Sequence, residues 1–160
     1  MTSPNHNLPL ITLRRARLTD IYRLWKWRNE PSTRLWSRSS NHIRFRTHLG
    51  WFLANQSNPS IAILVVLDAR GRPAGTVRFN LAGDGIWTTS ITLASKFRGK
   101  HIGVTALISA EEVLRNRNDV FGFRALINPQ NHASVGLFER VGYKPTGIEN
   151  GKLLEFGKSV

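Results

Sequence analysis

Apolar and polar positions change their period along this chain, and the changes divide it into elements. Ile11 to Arg17 alternates apolar and basic residues, the two-residue period of a half-buried strand. Ile21, Leu24, Trp25 and Arg28 then recur at helical spacing. Thr19 is placed to cap this helix, Asp20 sits in its positive first turn, and Asn29-Glu30-Pro31 stops it. Trp25 and Trp27 cannot share a face, so one is expected in the core and the other near the rim, where a substrate could stack. Ser32 to Asn41 is polar and irregular, with Arg34, Trp36 and Arg38 interleaved; it reads either as a solvated loop or as a holder of a nucleotide or a single strand. A second helix is expected from Ile43 to Asn55 with the apolar stripe Phe45, Leu49, Phe52 and Leu53. His48 lies on the edge of that stripe, either structural or placed to titrate near neutral pH.

Three strand-like runs follow, Ile61 to Leu67, Gly75 to Leu81 and Ile86 to Leu93. The turns Asp68 to Pro73 and Ala82 to Gly85 separate them, which predicts an antiparallel meander. The next helix runs to about Asn118, buries Ile102, Ala106, Leu107, Ala110, Val113 and Leu114, and carries Arg115 and Arg117 in its last turn. A whole helix separates Phe123 to Ile127 from Ile86 to Leu93, so these two strands are predicted to run parallel through a right-handed crossover. Asn131 can cap a short helix with Ser134, Leu137, Phe138 and Val141 on one face, and Gly142 can end it in the left-handed region. Lys152 to Phe156 is a candidate last strand. The order is that of an α/β (α+β) domain over residues 11–157, behind a polar N-terminus, residues 1–10, expected to be disordered.

The totals narrow the partners. With 160 residues, 18.1 kDa and 41% hydrophobic residues, the chain can bury one core. Lys plus Arg number 23 against 10 Asp plus Glu, a net charge of +13 that attracts polyanions. Nucleic acid, a nucleotide cofactor and an anionic substrate are all compatible with it, and so is a solvated surface, since the charges are spread along the chain. The absence of cysteine excludes a disulfide framework, a cysteine-based zinc site and a cysteine nucleophile, and fits a reducing cytoplasm. No run approaches the roughly 20 apolar residues of a membrane span, and no metal is implied.

Chemistry concentrates in Lys96-Phe97-Arg98-Gly99-Lys100-His101-Ile102-Gly103-Val104, where a strand turns into a helix through two glycines and three cations. Nothing between Phe97 and Val104 is a capping residue, so the first helical N–H groups are available to an outside anion, phosphate above all. The alternative is an ordinary basic turn.

This stretch, the element order and Asn131-His132-Ala133-Ser134-Val135-Gly136-Leu137-Phe138-Glu139-Arg140-Val141-Gly142-Tyr143 together resemble the GNAT superfamily of acetyl-CoA-dependent N-acetyltransferases over almost the whole chain from Ile11. The resemblance implies a mixed, mostly antiparallel sheet of six or seven strands, about four helices and a parallel pair at the acetyl-CoA cleft. It places the cofactor's pyrophosphate on Arg98, Gly99, Lys100, His101, Ile102, Gly103 and Val104. Ile91 and Leu93 before the loop, and Asn131, Ser134 and Phe138 across the cleft, then meet the cofactor's arm. His101 stands where the family pattern has its first Gly. Phe138 stands where many relatives carry a general-acid Tyr, and Trp87 to Leu93 lacks the carboxylate that many use as base. His48, Ser90 and Thr88 are left as helpers of a water-mediated proton transfer, and direct attack by a neutral amine is the implied mechanism.

The N-terminal half is similar to the branch that acetylates nucleotide-linked amino sugars, such as the UDP-4-amino-sugar acetyltransferase of pseudaminic acid synthesis. That likeness implies Arg28, Asn29, His48, Trp51, Arg78 and Asn80 as acceptor residues, and a small-molecule amine, UDP-linked in that branch, as partner. A homodimer is compatible with it. Similar helices occur in ribosomal-protein N-terminal acetyltransferases, the second enzyme reading. A GNAT-like nucleic-acid or ribosome-binding module without activity is the alternative of another class.

Overall fold

The computed structural model describes residues 8–116 and 120–160. Seven strands form one sheet: β1 (Thr12–Arg15), β2 (Ile61–Leu67), β3 (Pro73–Gly83), β4 (Ile86–Leu93), β5 (Gly122–Ile127), β6 (Lys144–Glu149) and β7 (Leu153–Ser159). Their spatial order is β1-β2-β3-β4-β5-β7-β6, antiparallel throughout except for the parallel pair β4 and β5. Five helices accompany them: α1 (Ile21–Asn29), α2 (Pro31–Trp36), α3 (Phe45–Asn55), α4 (Ile102–Arg115) and α5 (His132–Val141).

Strand alternation divides the side chains between two faces. Trp87, Thr89 and Phe123 share one face with Lys158, which reaches Glu111 of α4 at 2.6 Å; Thr89 meets the hydroxyl of Tyr143, just beyond α5, at 3.0 Å. That face therefore carries α4 and α5, and most of the core, including Val77, Phe79, Ala106, Leu107, Ala110 and Phe156. The other face presents Arg78, Asn80, Thr88, Ser90 and Arg124. Arg78 lies over the ring of Trp51 on α3, at 5.4 Å from its centroid. β2 reads as continuous Ile, Leu and Val because both of its faces are covered.

The meander, the crossover, the Asn131 cap and the left-handed Gly142 (φ +99°) agree with the sequence expectations. Trp27 is the buried member of its pair, and half-buried Trp25 donates its indole N–H to Ile43 O at 2.7 Å.

Several local expectations change. The stretch read as irregular from Ser32 contains α2, because Pro31 takes the first helical position, where its missing N–H costs nothing. The α-helices among the described residues are thus five rather than about four. Thr19 does not cap α1. A 3-10 turn over Leu18–Asp20 precedes the helix, and the buried Asp20 carboxylate accepts the Arg17 N–H at 2.7 Å and two Arg14 hydrogen bonds at 2.7 and 2.9 Å. Arg14 holds the pKa of that carboxyl below the usual range, aided by the Arg17 N–H against the opposing effect of burial. On α3 the buried side chains are His48 and Phe52, while Phe45 and Leu53 are exposed; the helix turns its histidine inward. On α4, Val113 is exposed and Glu111 is buried in its place, paired with Lys158 and Arg115. α4 ends at Arg115; its expected extension to Asn118, with Arg117, lies outside the described residues, as do residues 1–7 of the N-terminus. The last strand continues past Phe156 to Ser159.

Candidate active site at the divergence of two parallel strands

β4 and β5 pair only at Ile86↔Gly122, Trp87↔Phe123 and Thr88↔Arg124. Beyond Thr88 the strands separate, and residues 89–93 of β4 have no strand on that side. Main-chain groups on such an edge are left to pair with a ligand.

The chain leaves β4 through a 3-10 turn, Ser95–Phe97, anchored by the buried Phe97 ring. Gly99 (φ +71°) and His101 (φ +59°) are both left-handed, and α4 begins at Ile102 without a side-chain cap. Among the described residues, the N–H groups from Gly99 to Val104 meet no acceptor; the helix's first bond is Thr105 N–H to His101 O, at 3.5 Å. Six consecutive N–H groups at a helix N-terminus, with Lys100 exposed beside them, match the charge and donor pattern of a pyrophosphate. Gly103 brings the helices close at this point, since a Cβ there would stand 3.2 Å from both δ-carbons of Leu137 on α5.

Arg98 is used differently from the loop's main chain. Its Nε donates to Leu93 O (2.9 Å), Nη1 to Ser32 Oγ (2.7 Å), and Nη2 to Thr33 Oγ1 (3.2 Å) and Glu30 Oε2 (3.3 Å). The guanidinium thereby braces the loop against the start of α2, and it occupies the Leu93 carbonyl. Across the gap, Asn131 and Ser134 are bonded to each other at the start of α5, while partly buried Ile91 packs against the core. Phe138 is buried, edge-on to the Tyr143 ring at 4.9 Å, so it supports the wall from behind. Burial raises the pKa of the Tyr143 hydroxyl far above its ordinary value, Glu111 adding to the effect.

On the opposite face, α1 and α3 bring Arg28, His48, Trp51 and Arg78 together. The His48 and Trp51 rings lie 5.7 Å apart. Burial, then Arg28 and Arg78, lower the pKa of His48, whose Nε2 is enclosed without a hydrogen-bond partner; one Arg28 nitrogen, Nη1, is in the same condition. Arg78 is open to water yet crowded, and desolvation followed by repulsion from Arg28 lowers its pKa. No carboxylate pairs with Arg28 or Arg78 among the described residues. Ser90 is exposed directly opposite Arg78 in the β3–β4 register, and half-buried Asn80 is paired with Thr88. Asn29 does not join this group. Its amide donates to Trp25 O (3.1 Å) and Ile43 O (3.0 Å) and accepts the Ile43 N–H (2.8 Å), clamping the segment before α3.

The gap, the uncapped α4 and the conformation of the loop coincide with a match of residues 11–144 to the family described as Acetyltransferase (GNAT) domain. The chain belongs to the GNAT acetyltransferase family. It is an acetyl-CoA-dependent N-acetyltransferase, with acetyl-CoA as co-substrate. A protein of Bacillus subtilis (strain 168), provisionally assigned as a ribosomal protein bS18-alanine N-acetyltransferase, is 24% identical over 146 residues, 91% of this chain and 89% of that protein. Among solved structures, spermidine N-acetyltransferase from Vibrio cholerae in complex with CoA and spermine superposes with a TM-score of 0.84 at 16% identity, over 93% of this chain and 95% of that one. An aminoglycoside acetyltransferase in complex with coenzyme A does so with a TM-score of 0.81 at 18% identity, over 94% and 95%. No helix among the described residues is long and apolar enough to cross a membrane, and no described group of His, Asp and Glu is assembled to hold a metal.

Sequence reasoning missed Arg124 and Glu155. Arg124 on β5 donates its Nε to Thr88 Oγ1 at 2.8 Å, and Glu155 on β7 lies on the same face. Each is a charged residue alternating with apolar ones in a strand, Phe123-Arg124-Ala125 and Leu154-Glu155-Phe156, and that alternation is the signal that would have found them.

Proposed function

We propose that this GNAT enzyme acetylates a primary amine carried on an anionic small molecule, a nucleotide-linked amino sugar being the acceptor class it suits best. The observation that carries the proposal is the convergence of Arg28, His48 and Arg78 beside Trp51 with no carboxylate among them. Burial and then Arg28 lower the pKa of Arg78, and burial and then Arg34 lower that of Arg28, so this crowd of guanidinium groups favours an anion that lies among them. A diphosphate provides the charge, and Trp51 provides a ring on which a base can stack. The polyamine and aminoglycoside acceptors of the solved relatives are cations, which this cluster repels.

Acetyl-CoA brings an activated thioester whose thiolate is a good leaving group. The chain's part is to bind and orient. The N–H groups of Gly99 to Val104 hold the pyrophosphate, the edge of β4 with Asn131 and Ser134 aligns the arm, and the arginines hold the acceptor. The depressed pKa leaves His48 neutral at neutral pH, and its unpartnered Nε2 can take the amine's proton through water, with Ser90 as relay. A cytoplasmic location suits the cysteine-free sequence and the supply of acetyl-CoA.

One observation favours a second reading, acetylation of a protein N-terminus: the Bacillus relative matches over 91% of this chain. A thiol-release screen of UDP-amino sugars against peptides beginning with Ala or Ser separates the two. Turnover of a UDP-amino sugar, reduced about tenfold or more by Arg78→Ala, is the expected result; a signal confined to peptides overturns it.

A further inference from the structure

Glu155 occupies a position that the reaction described so far does not use. The β5–β7 register sets it opposite Leu126. The last paired residues of the parallel strands are Thr88 and Arg124, so two residues further along, on the same face, lie Ser90 on one side of the gap and Leu126 on the other. Glu155 is therefore one strand beyond the gap at the level of Ser90, and Arg78 is one strand beyond it on the other side. The row reads Arg78, Ser90, gap, Leu126, Glu155. A cation and a carboxylate flank the opening between β4 and β5.

The carboxylate is loosely held. Glu155 Oε1 accepts the Thr146 hydroxyl at 3.1 Å, whereas Oε2 lies 3.7 Å from Arg124 Nη1, beyond hydrogen-bond distance, because Arg124 directs its Nε to Thr88. Both side chains are about one-third exposed, at 32%. They also line a cavity of about 870 Å³ that extends toward the starts of β4 and β5 at Ile86, Phe121 and Gly122 and takes in none of Arg78, Ser90 and Leu126. The other described carboxylates are committed or remote. Asp20, Asp68, Glu30 and Glu149 each pair with an arginine at hydrogen-bond distance, closer than the 3.7 Å ion pair of Glu155 with Arg124, and Glu111 is buried against Lys158 on the far face. Asp84 lies in the β3–β4 turn, and Glu112 and Glu139 are exposed on α4 and α5.

We propose that Glu155 is the acceptor-binding residue that draws in the substrate's ammonium group, so that the acceptor lies with its anionic end at Arg78 and Arg28 and its amine end in the gap between Ser90 and Glu155, from which the proton leaves through water and Ser90 toward His48. The inference rests on the acetyl-transfer reading and deepens it. It assigns the site a bipolar acceptor, an amine and an anion on one molecule, and it fills the place of the carboxylate missing from β4 with one from β7.

The test compares the wild type with Glu155→Gln and Glu155→Asp, using whichever primary amine the thiol-release screen identifies. Glu155→Gln keeps the size of the side chain and an oxygen for Thr146 but removes the charge. It is expected to raise KM for the amine about ten- to hundredfold. The rise in melting temperature produced by acetyl-CoA should stay unchanged, and Glu155→Asp should recover part of the affinity. An unchanged KM in Glu155→Gln overturns the assignment. So does a parallel loss of acetyl-CoA stabilisation, which would mark Glu155 as structural. Any accepted amine reads out this result, whether or not it carries an anion, so a wild type that prefers uncharged peptides defeats the proposed acceptor class while leaving the Glu155 comparison decisive. If no amine supports turnover, both readings fall.

Discussion

His101 holds a backbone conformation that its side chain disfavours. At φ +59° a residue with a Cβ is strained by about 1 kcal/mol or more, and only the geometry on both sides keeps it there. The sequence marks the position as one where relatives carry Gly; the positive φ gives the reason, which is freedom of the main chain rather than room for phosphate alone. His101→Gly should therefore raise the melting temperature by about 2–4 °C and retain coenzyme A affinity, as thermal unfolding and titration would show. A lower melting temperature would mean that the exposed imidazole contributes a contact of its own. His48 gives the opposite lesson. Its place on α3 was legible, but its burial was not, because periodicity alone ranks Phe45 and Leu53 as better core residues. The sheet beneath α3 carries Arg78 rather than an apolar side chain, so the helix presents a polar group there.

At the scale of elements, the loop before α4 depends on α2, the helix that sequence reasoning left as irregular chain. Pro31 was legible as a stop for α1 but not as the start of the next helix, since the two uses of proline look the same when only the preceding helix is considered. Ser32, Thr33 and Glu30 at that start are the groups that Arg98 grips. Removing the brace by Arg98→Ala should weaken acetyl-CoA binding about tenfold, as measured by calorimetric titration. Arg98→Lys should restore little of it, because a single ammonium cannot reach Leu93 O and the α2 side chains together as a planar fork does. Equal affinity in all three proteins would show that the loop keeps its shape unaided. Asn131 and Gly142 were read correctly because caps are local, each decided within four residues of the helix end.

Over the whole molecule, the meander and the parallel pairing of β4 with β5 were legible because turn chemistry and helix length determine them. The insertion of β7 between β5 and β6 was not, since either late strand could have paired with β5. The net charge of +13 was equally ambiguous. Ion pairs join distant segments, among them Arg38 with Glu149 at the end of β6 at 2.9 Å, but they leave that excess undiminished. The narrow seam between β4 and β5 has a wider consequence. A four-stranded block and a three-stranded block are joined within the sheet by three residue pairs, and the seam ends where the proposed function lays the co-substrate's amide-bearing arm. On that proposal the arm would serve as a short substitute strand that stitches the two blocks together. Hydrogen–deuterium exchange should accordingly slow in residues 89–93 and 125–127 when acetyl-CoA binds, well away from the phosphates. Protection confined to residues 99–104 would mean that the blocks are held by protein contacts alone.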